Sequence, residues 1–283
     1  MPSGDGRGGQ RFCLHHTPAP GTTPQGCVVY VHPFTEEMNK SRRMAAMQSR
    51  ALARAGYAVL QVDLLGCGDS SGDFGDATWE AWVADVVRAC HWLLERSTGP
   101  LWLWGLRAGC LLAVEASRHL TAPCNFVFWA PTPLGKTQLQ QFLRLKAASD
   151  MLATGAKGVT EGLRQQLAAG QPVEIAGYAL TPDVARGLEQ AMLKPPEGRT
   201  APASAPRARL EWLEMSTRED AGLNPVARKA IGEWEHAGLT VRSHIVQGPS
   251  FWQTTEIEDA PALIPATLRA LAPHPGLPQV DTA

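Results

Sequence analysis

Residues 101–109 read Leu-Trp-Leu-Trp-Gly-Leu-Arg-Ala-Gly, an apolar strand that runs into a Gly-x-Arg-x-Gly turn. A helix-forming segment, residues 110–119, follows directly. This order is typical of a nucleophile elbow, in which the middle residue is usually serine and sits on a strained turn, with glycines beside it because the backbones pack closely. Here the middle residue is Arg107. Arginine stays protonated in proteins and cannot accept an acyl group, so the motif raises the question of whether any serine chemistry remains.

Around this motif the chain alternates apolar strands with helices. The predicted strands are short runs rich in β-branched and aromatic residues, at residues 27–31, 57–62, 101–104, 125–129, 210–215 and 241–246, with an edge strand over 11–16. The predicted helices span residues 41–55, 78–96, 107–120, 225–237 and 260–271. Short connections between such elements predict a mostly parallel, doubly wound α/β sheet with right-handed crossovers. Together with the elbow, this order predicts the α/β-hydrolase fold.

The alternation stops after Pro133. Residues 134–194 carry helical patterns and one weak strand candidate at 173–178, which predicts a helical cap inserted over the sheet. A proline-rich loop spans residues 195–207. The expected core is therefore residues 1–133 and 208–272, and residues 273–283 form a tail.

Composition excludes several classes of function. The 283 residues are 44% hydrophobic and 19% charged, which suits one large domain with an insertion. The net charge of -1 argues against nucleic acid as a partner. The six cysteines form no Cys-x-x-Cys pair, so we expect no metal and no cofactor. The N-terminal residues lack the apolar centre of a signal peptide, and no apolar run reaches the roughly 18–20 residues that span a bilayer, so we expect a cytoplasmic protein.

In an open α/β sheet, ligands bind beyond the carboxyl ends of the strands. The backbone amides of Phe34 and Ala108 lie where an oxyanion hole is expected. Three other side chains are weak catalytic candidates in the loops after the first two core strands: His32, Cys67 and Ser70. For His32 and the glycine-rich loop around Cys67, a structural role is the favoured interpretation, because buried histidines more often hydrogen-bond to the backbone and glycines permit tight turns.

The remaining triad positions are incomplete. Asp220 lies where the acid is expected, but residues 247–252, which follow the last strand, read Gln-Gly-Pro-Ser-Phe-Trp and contain no histidine. His244 lies inside the strand pattern and His274 in the tail, and neither fits the base position. Loss of both the serine and the histidine argues against triad chemistry of any kind.

Arg107 requires a counter-anion, because a buried unpaired charge costs several kcal/mol. Two sources are open: a protein acid, or the carboxylate or phosphate of a ligand. The protein candidates are Glu36, Glu37, Asp69 and Asp220. Three aromatic residues at strand ends either line a ligand-binding wall or belong to the core: Trp129, Phe251 and Trp252. The cations Lys40, Arg42 and Arg43 stand at the start of the predicted helix over 41–55, where the helix dipole disfavours them.

Three unusual runs resemble one specific family, the exosortase A system-associated hydrolase 2 family. They are His32-Pro-Phe-Thr-Glu-Glu-Met-Asn-Lys-Ser-Arg-Arg43, Leu64-Leu-Gly-Cys-Gly-Asp-Ser-Ser-Gly-Asp-Phe74 and Trp104-Gly-Leu-Arg-Ala-Gly109, and the Gly-Pro-x-Phe-Trp ending at Trp252 adds support. The resemblance covers about residues 11–133. It implies a cytoplasmic protein linked to exopolysaccharide production and PEP-CTERM protein sorting, with arginine at the elbow as the family's own pattern. The family is called a hydrolase because of its fold, and a fold alone does not establish a reaction.

Three functions are compatible with these features. The leading hypothesis is a degenerate hydrolase that binds a small anionic, acylated or glycan ligand, or a protein partner, of the exopolysaccharide machinery. The alternative is an unconventional hydrolase or acyltransferase that acts on an ester, thioester or acylated glycan without a Ser-His-Asp triad. The third is a scaffold whose cap binds another biosynthetic protein.

Overall fold

The structure is a computed structural model, and it describes residues 1–2, 9–154, 158–196 and 207–272. The first half of the core comprises β1 (Cys13–His16), β2 (Gly26–Val31), α1 (Glu36–Arg54), β3 (Tyr57–Val62), α2 (Trp79–Leu94), β4 (Leu101–Leu106), α3 (Gly109–Ser117) and β5 (Cys124–Trp129). The chain then forms α4 (Gly135–Thr154), α5 (Val159–Ala168), β6 (Val173–Ile175), β7 (Tyr178–Leu180) and α6 (Pro182–Gln190). It ends with β8 (Arg209–Ser216), α7 (Pro225–His236), β9 (Thr240–Gln247) and α8 (Leu263–Leu271).

Seven strands form one sheet in the order β1-β3-β2-β4-β5-β8-β9. All neighbours are parallel except β1, which pairs antiparallel with β3 as an edge strand. The central strands are buried on both faces, which is why their sequences are continuous apolar runs with no alternation. The α/β-hydrolase fold predicted from the sequence is confirmed.

Helix α1 starts five residues earlier than predicted. It begins at Glu36, so two glutamates occupy its first turn, where the helix dipole favours negative charge. The cations that the sequence placed at the helix start lie further along the helix, where Arg42 pairs with Asp63 at 2.8 Å and Arg43 with Asp259 at 2.8 Å. The prediction of a helix N-terminus holding three cations is therefore wrong.

Three further predicted elements differ in extent. The helix predicted over 107–120 is the shorter α3, because the elbow turn occupies its first two positions. The single strand predicted at 173–178 is a hairpin, β6 and β7, which turns at Ala176 and Gly177, both with positive φ. The last helix begins at Leu263, three residues after the predicted start.

Each layer of helices covers one face of the sheet. Helices α2 and α3 contact each other and the central strands, while α1 and α8 pack together on the other side of the core. Among the described residues, no helix is both long and apolar enough to cross a membrane. The proline-rich segment is described only in part, and the predicted tail lies outside the described residues.

Candidate functional site

The elbow keeps its strained backbone although it carries an arginine. Arg107 has a φ of +55°, in the left-handed region that side-chain-bearing residues rarely adopt, and its amide donates to the carbonyl of Trp129 at 3.0 Å. A Cβ at Gly109 would lie 2.2 Å from the carbonyl oxygen of Val31, and a Cβ at Gly105 would lie 2.6 Å from the backbone of α3. Both glycines are therefore required by close backbone approach.

The Arg107 guanidinium contacts three different elements. Its Nε lies 3.4 Å from Oε1 of Glu37 on α1. Its Nη2 donates to Oε1 of Gln138 at 3.2 Å and to Oε1 of Gln141 at 3.0 Å, and both glutamines are on α4. The ring of Trp252 lies 5.5 Å from Cζ, a distance typical of a cation–π contact. Arg107 thus joins the core, α4 and the segment after β9.

Two carboxyls have pKa values that both burial and the charge of Arg107 affect. Burial raises the pKa of Glu37, against the opposing effects of Arg107 and a hydrogen bond from Gln138. Burial also raises the pKa of Glu214 on β8, against a hydrogen bond from the Trp212 indole at 2.9 Å and the charge of Arg107. Oε2 of Glu37 is buried and has no hydrogen-bond partner among the described residues. The protein itself therefore supplies one carboxyl, Glu37, in contact with the guanidinium.

The other three acids named as candidates face elsewhere. Glu36 accepts a hydrogen bond from the Tyr178 hydroxyl of the β6–β7 hairpin at 3.1 Å. Asp69 is exposed in its loop. Asp220 is 78% exposed and pairs with Arg218 at 3.1 Å, two positions away in the chain, so it is not oriented towards a base.

The residues of the expected oxyanion hole lie together. Phe34 and Ala108 both line a cavity of about 10 Å³, together with residues of the 32–35 loop and of α2 and α3. A volume of this size holds about one water molecule. The Phe34 ring packs edge-on against Phe142 of α4, with ring centres 5.1 Å apart, so α4 closes the region from above.

The three weak catalytic candidates are engaged in structural roles. Nδ1 of His32 lies 2.8 Å from the carbonyl of Pro33, its Nε2 lies 3.4 Å from the amide of Leu64, and burial lowers its pKa. Ser70 donates to the carbonyl of Asp63 at 2.5 Å. Burial, with nearby acids, raises the pKa of Cys67 to about 12, which disfavours the thiolate that a nucleophile requires.

The aromatic candidates divide into two groups. Trp129 and Phe251 are fully buried in the core, and the Trp129 indole donates to Thr267 on α8 at 2.9 Å. Trp252 instead contacts Arg107. It belongs to the segment after the last strand, where a triad enzyme carries its histidine. An aromatic ring therefore contacts the residue at the elbow from the segment that would carry the base.

His244 takes part in a separate cluster. Its Nε2 lies 3.0 Å from Oε2 of the buried Glu211 on β8, which also pairs with Arg209 at 2.9 Å and Arg242 at 2.7 Å. Both arginines donate to the carbonyl of Ala270 near the end of α8, so the cluster fastens that helix to the sheet. His274 lies outside the described residues. In the chain segments that the structure describes, no three histidine, cysteine or acidic side chains are grouped to hold a metal ion.

Sequence reasoning missed three of the residues around Arg107: Glu214, Gln138 and Gln141. Glu214 had a usable signal, since it is an acid near the carboxyl end of a buried strand, the edge at which sites form. The two glutamines are three residues apart and so share one face of α4, but the sequence does not indicate which face meets the core.

The strand order, the strained elbow and the loops at the carboxyl edge of the sheet define a protein of the α/β-hydrolase fold. The chain belongs to the family described as serine aminopeptidase, S33, which matches residues 22–193. Membership rests on that matched region, and within it the elbow position carries Arg107 where the family name implies serine.

Similar proteins include hydrolases. A segment of 100 residues is 32% identical to the thermostable monoacylglycerol lipase of Bacillus sp. (strain H-257), covering 35% of this chain and 38% of the lipase. A segment of 94 residues is 33% identical to Protein ABHD12B of Homo sapiens, covering 33% of this chain and 25% of that protein. The similarity thus spans well under half of these relatives.

Solved structures share the fold across nearly the whole chain. Est1E from Butyrivibrio proteoclasticus, solved with ferulic acid, has a TM-score of 0.60 at 13% identity and covers 95% of this chain and 96% of its own. MenH from S. aureus has a TM-score of 0.54 at 14% identity, covering 92% and 97%. At this identity the likeness shows the fold alone.

Proposed function

We propose that this chain is a catalytically silent α/β-hydrolase-fold protein that acts by binding a partner or ligand of a bacterial exosortase A and exopolysaccharide system in the cytoplasm. The single observation that carries the proposal is Arg107 at the strained elbow position, which leaves the fold without its acyl-accepting group. The exosortase context rests on the resemblance of residues 32–43, 64–74 and 104–109.

The surroundings of Arg107 support a binding role over a catalytic one. Glu37, Gln138 and Gln141 accept from its Nε and Nη2, and the Trp252 ring lies 5.5 Å from its Cζ. The adjacent cavity of about 10 Å³ has no room for an acyl group or a sugar. Because Glu37 already pairs with this cation, an anionic ligand is not needed there, and a protein partner is the better supported of the two ligand classes.

We further propose that residues 134–194 form a cap that presents the partner-binding surface, with residues 1–133 and 208–272 as the core. Within this segment three large apolar side chains are about half exposed: Leu134, Leu145 and Met192. Leu134 and Met192 lie beside each other in a β-bridge, and adjoining exposed apolar residues often mark interaction sites. Replacing Leu145 and Met192 by glutamate tests whether the cap binds the partner. Replacing Val226 on α7 by glutamate is the control for the general effect of a new surface charge.

A labelling experiment tests the loss of serine chemistry. The wild-type protein and Arg107→Ser should not react with a fluorophosphonate probe, since neither has a histidine in the base position. The double variant Arg107→Ser, Trp252→His restores both missing groups, and a serine lipase of the same fold is the positive control. Strong labelling or ester turnover by the wild-type chain, abolished by Cys67→Ala or His32→Ala, would overturn the proposal.

A complementation experiment tests the biological context. Deletion of the gene in a host with an exosortase A system should reduce exopolysaccharide, and Arg107→Met, which cannot perform acyl transfer either, should restore it. Normal exopolysaccharide in the deletion strain would contradict the assignment to this system. No observation favours the unconventional hydrolase, because the side chains it would use are hydrogen-bonded or deeply buried.

A further inference from the structure

A groove between α2 and α3 is lined by none of the residues that contact the guanidinium of Arg107. Its volume is about 500 Å³, within the range of small-molecule sites, which is about 300–1,000 Å³. Its floor is an apolar strip along α2, formed by Trp79, Val83, Ala84 and Val87. The cavity beside the elbow is about 10 Å³, so this groove offers far more space for a ligand.

The charges along the groove are distributed unevenly. Glu80 stands at the end where α2 begins. Arg88 and His91 stand near the other end of the helix, and His119, two residues after the end of α3, also lines the groove. Between Glu80 and His91 the helix rises about 17 Å, at 1.5 Å per residue.

Acidic groups near the basic end already have partners. Glu115 lines the groove and forms an ion pair with Arg118, just after α3, and its Oε1 lies 3.9 Å from Nε2 of His119. Asp85 is buried, and it accepts hydrogen bonds from Arg11 at 2.6 Å and from Arg88 at 3.2 Å. Three arginines, Arg11, Arg88 and Arg118, thus face two carboxylates, so this end carries a net positive charge even with both histidines neutral. Glu80 places an anion at the opposite end.

We propose that this groove binds an amphiphile with a linear aliphatic chain and an anionic head group. The chain lies along Val83 and Val87, because contact with the apolar strip removes it from water. The head group lies by Arg88, His91 and His119, since Glu80 repels it from the other end and so fixes the orientation. Trp79 lines both the groove and the small cavity below Ala108, so the far end of the chain lies against the wall between the two spaces.

The site goes beyond the proposed function, because no residue of it belongs to the group around Arg107. Isothermal titration of the full chain with sodium decanoate, below its micelle concentration and at pH 7, should give saturable binding at one site. Val87→Glu places a charge on the apolar strip and should weaken binding at least about tenfold. Ala84→Trp fills the groove without adding a charge and should do the same. Val226→Glu, on the exposed surface of α7, is the matched control and should leave the affinity unchanged.

The head group is tested with decyltrimethylammonium, which has the same chain length and the opposite charge. It should bind at least about tenfold more weakly than decanoate, and His91→Glu should reduce that difference. Equal affinity for both amphiphiles, absence of saturable binding, or decanoate binding that survives both Val87→Glu and Ala84→Trp would overturn the inference. Circular dichroism identifies a variant that has failed to fold, in which case the other variant decides. Failure here leaves the fluorophosphonate result, and hence the proposed function, untouched.

Discussion

Replacing Arg107 by methionine is expected to destabilise the fold and to make its stability strongly dependent on pH. Methionine retains the apolar stem and removes the charge. Glu37 then stays buried without its cation, and Gln138 and Gln141 lose a shared donor. Breaking a fully buried ion pair costs about 3–5 kcal/mol. Because the two side chains are 14% and 16% exposed and their contact is 3.4 Å long, we expect a loss of about 2 kcal/mol at pH 7.

The pH dependence follows from the direction in which the pKa of Glu37 moves. Burial already raises this pKa above its ordinary value of 4.5, and loss of the cation raises it further. A carboxyl with a raised pKa binds its proton more tightly in the folded chain than in the unfolded one, so stability falls as the pH rises from 4.5 through the folded pKa. The deficit of Arg107→Met relative to the wild type should therefore be small near pH 4.5 and grow towards pH 7.

Urea denaturation at pH 5 and pH 7, followed by tryptophan fluorescence and circular dichroism, measures this difference. Arg218→Met is the matched control, because Arg218 and Asp220 are 73% and 78% exposed, and its loss should stay below about 0.5 kcal/mol. The double variant Arg107→Met, Glu37→Gln should recover part of the lost stability at pH 7. A deficit that is equal at both pH values, or no larger than that of the control, would refute the account of Arg107 and Glu37 as a buried pair.

Three further changes have definite expected outcomes. Gly109→Ala places a Cβ 2.2 Å from the Val31 carbonyl oxygen, so the elbow must shift. We expect the free energy of unfolding, measured by urea denaturation, to fall by about 2–4 kcal/mol. An unchanged denaturation midpoint would contradict the close approach. Glu211→Gln should lower the free energy of unfolding by about 2–3 kcal/mol at pH 7. Burial raises the pKa of Glu211, but hydrogen bonds from a histidine and two arginines outweigh burial and leave the pKa below 4.5. The loss should therefore disappear as the pH falls through the folded pKa. Cys67 should resist iodoacetamide at pH 8 in the folded protein while the less buried Cys13 reacts faster, as mass spectrometry of tryptic peptides can show; equal rates would mean that the loop opens readily.

Much of the fold could be predicted from the sequence because its signals are local. The apolar runs of β2, β3, β4 and β5 are continuous, as strands buried on both faces require, and glycines and prolines separate them from the helices. The elbow turn could also be predicted from the sequence, because close backbone approach requires glycine at positions 105 and 109.

The errors fall where a local pattern competes with a distant contact. The acidic start of α1 looks like a loop in isolation, but Glu36 and Glu37 favour the helix N-terminus and are held there by Tyr178 and Arg107. The β6–β7 hairpin gives the sequence pattern of a single strand, because its turn is only two residues long, at positive φ. Neither feature can be resolved without the elements that pack against it.

The sequence by itself determined that this chain folds as an α/β hydrolase with no serine at the elbow and no histidine in residues 247–252, directly after its last strand. Those facts depend on residue identity and short-range periodicity, which the chain carries explicitly. Only the tertiary structure decided that Glu37, with Gln138, Gln141 and Trp252, surrounds Arg107, and that Asp220 does not. These contacts join residues up to 145 positions apart, and such pairings depend on how helices pack across the sheet edge, which no local pattern encodes.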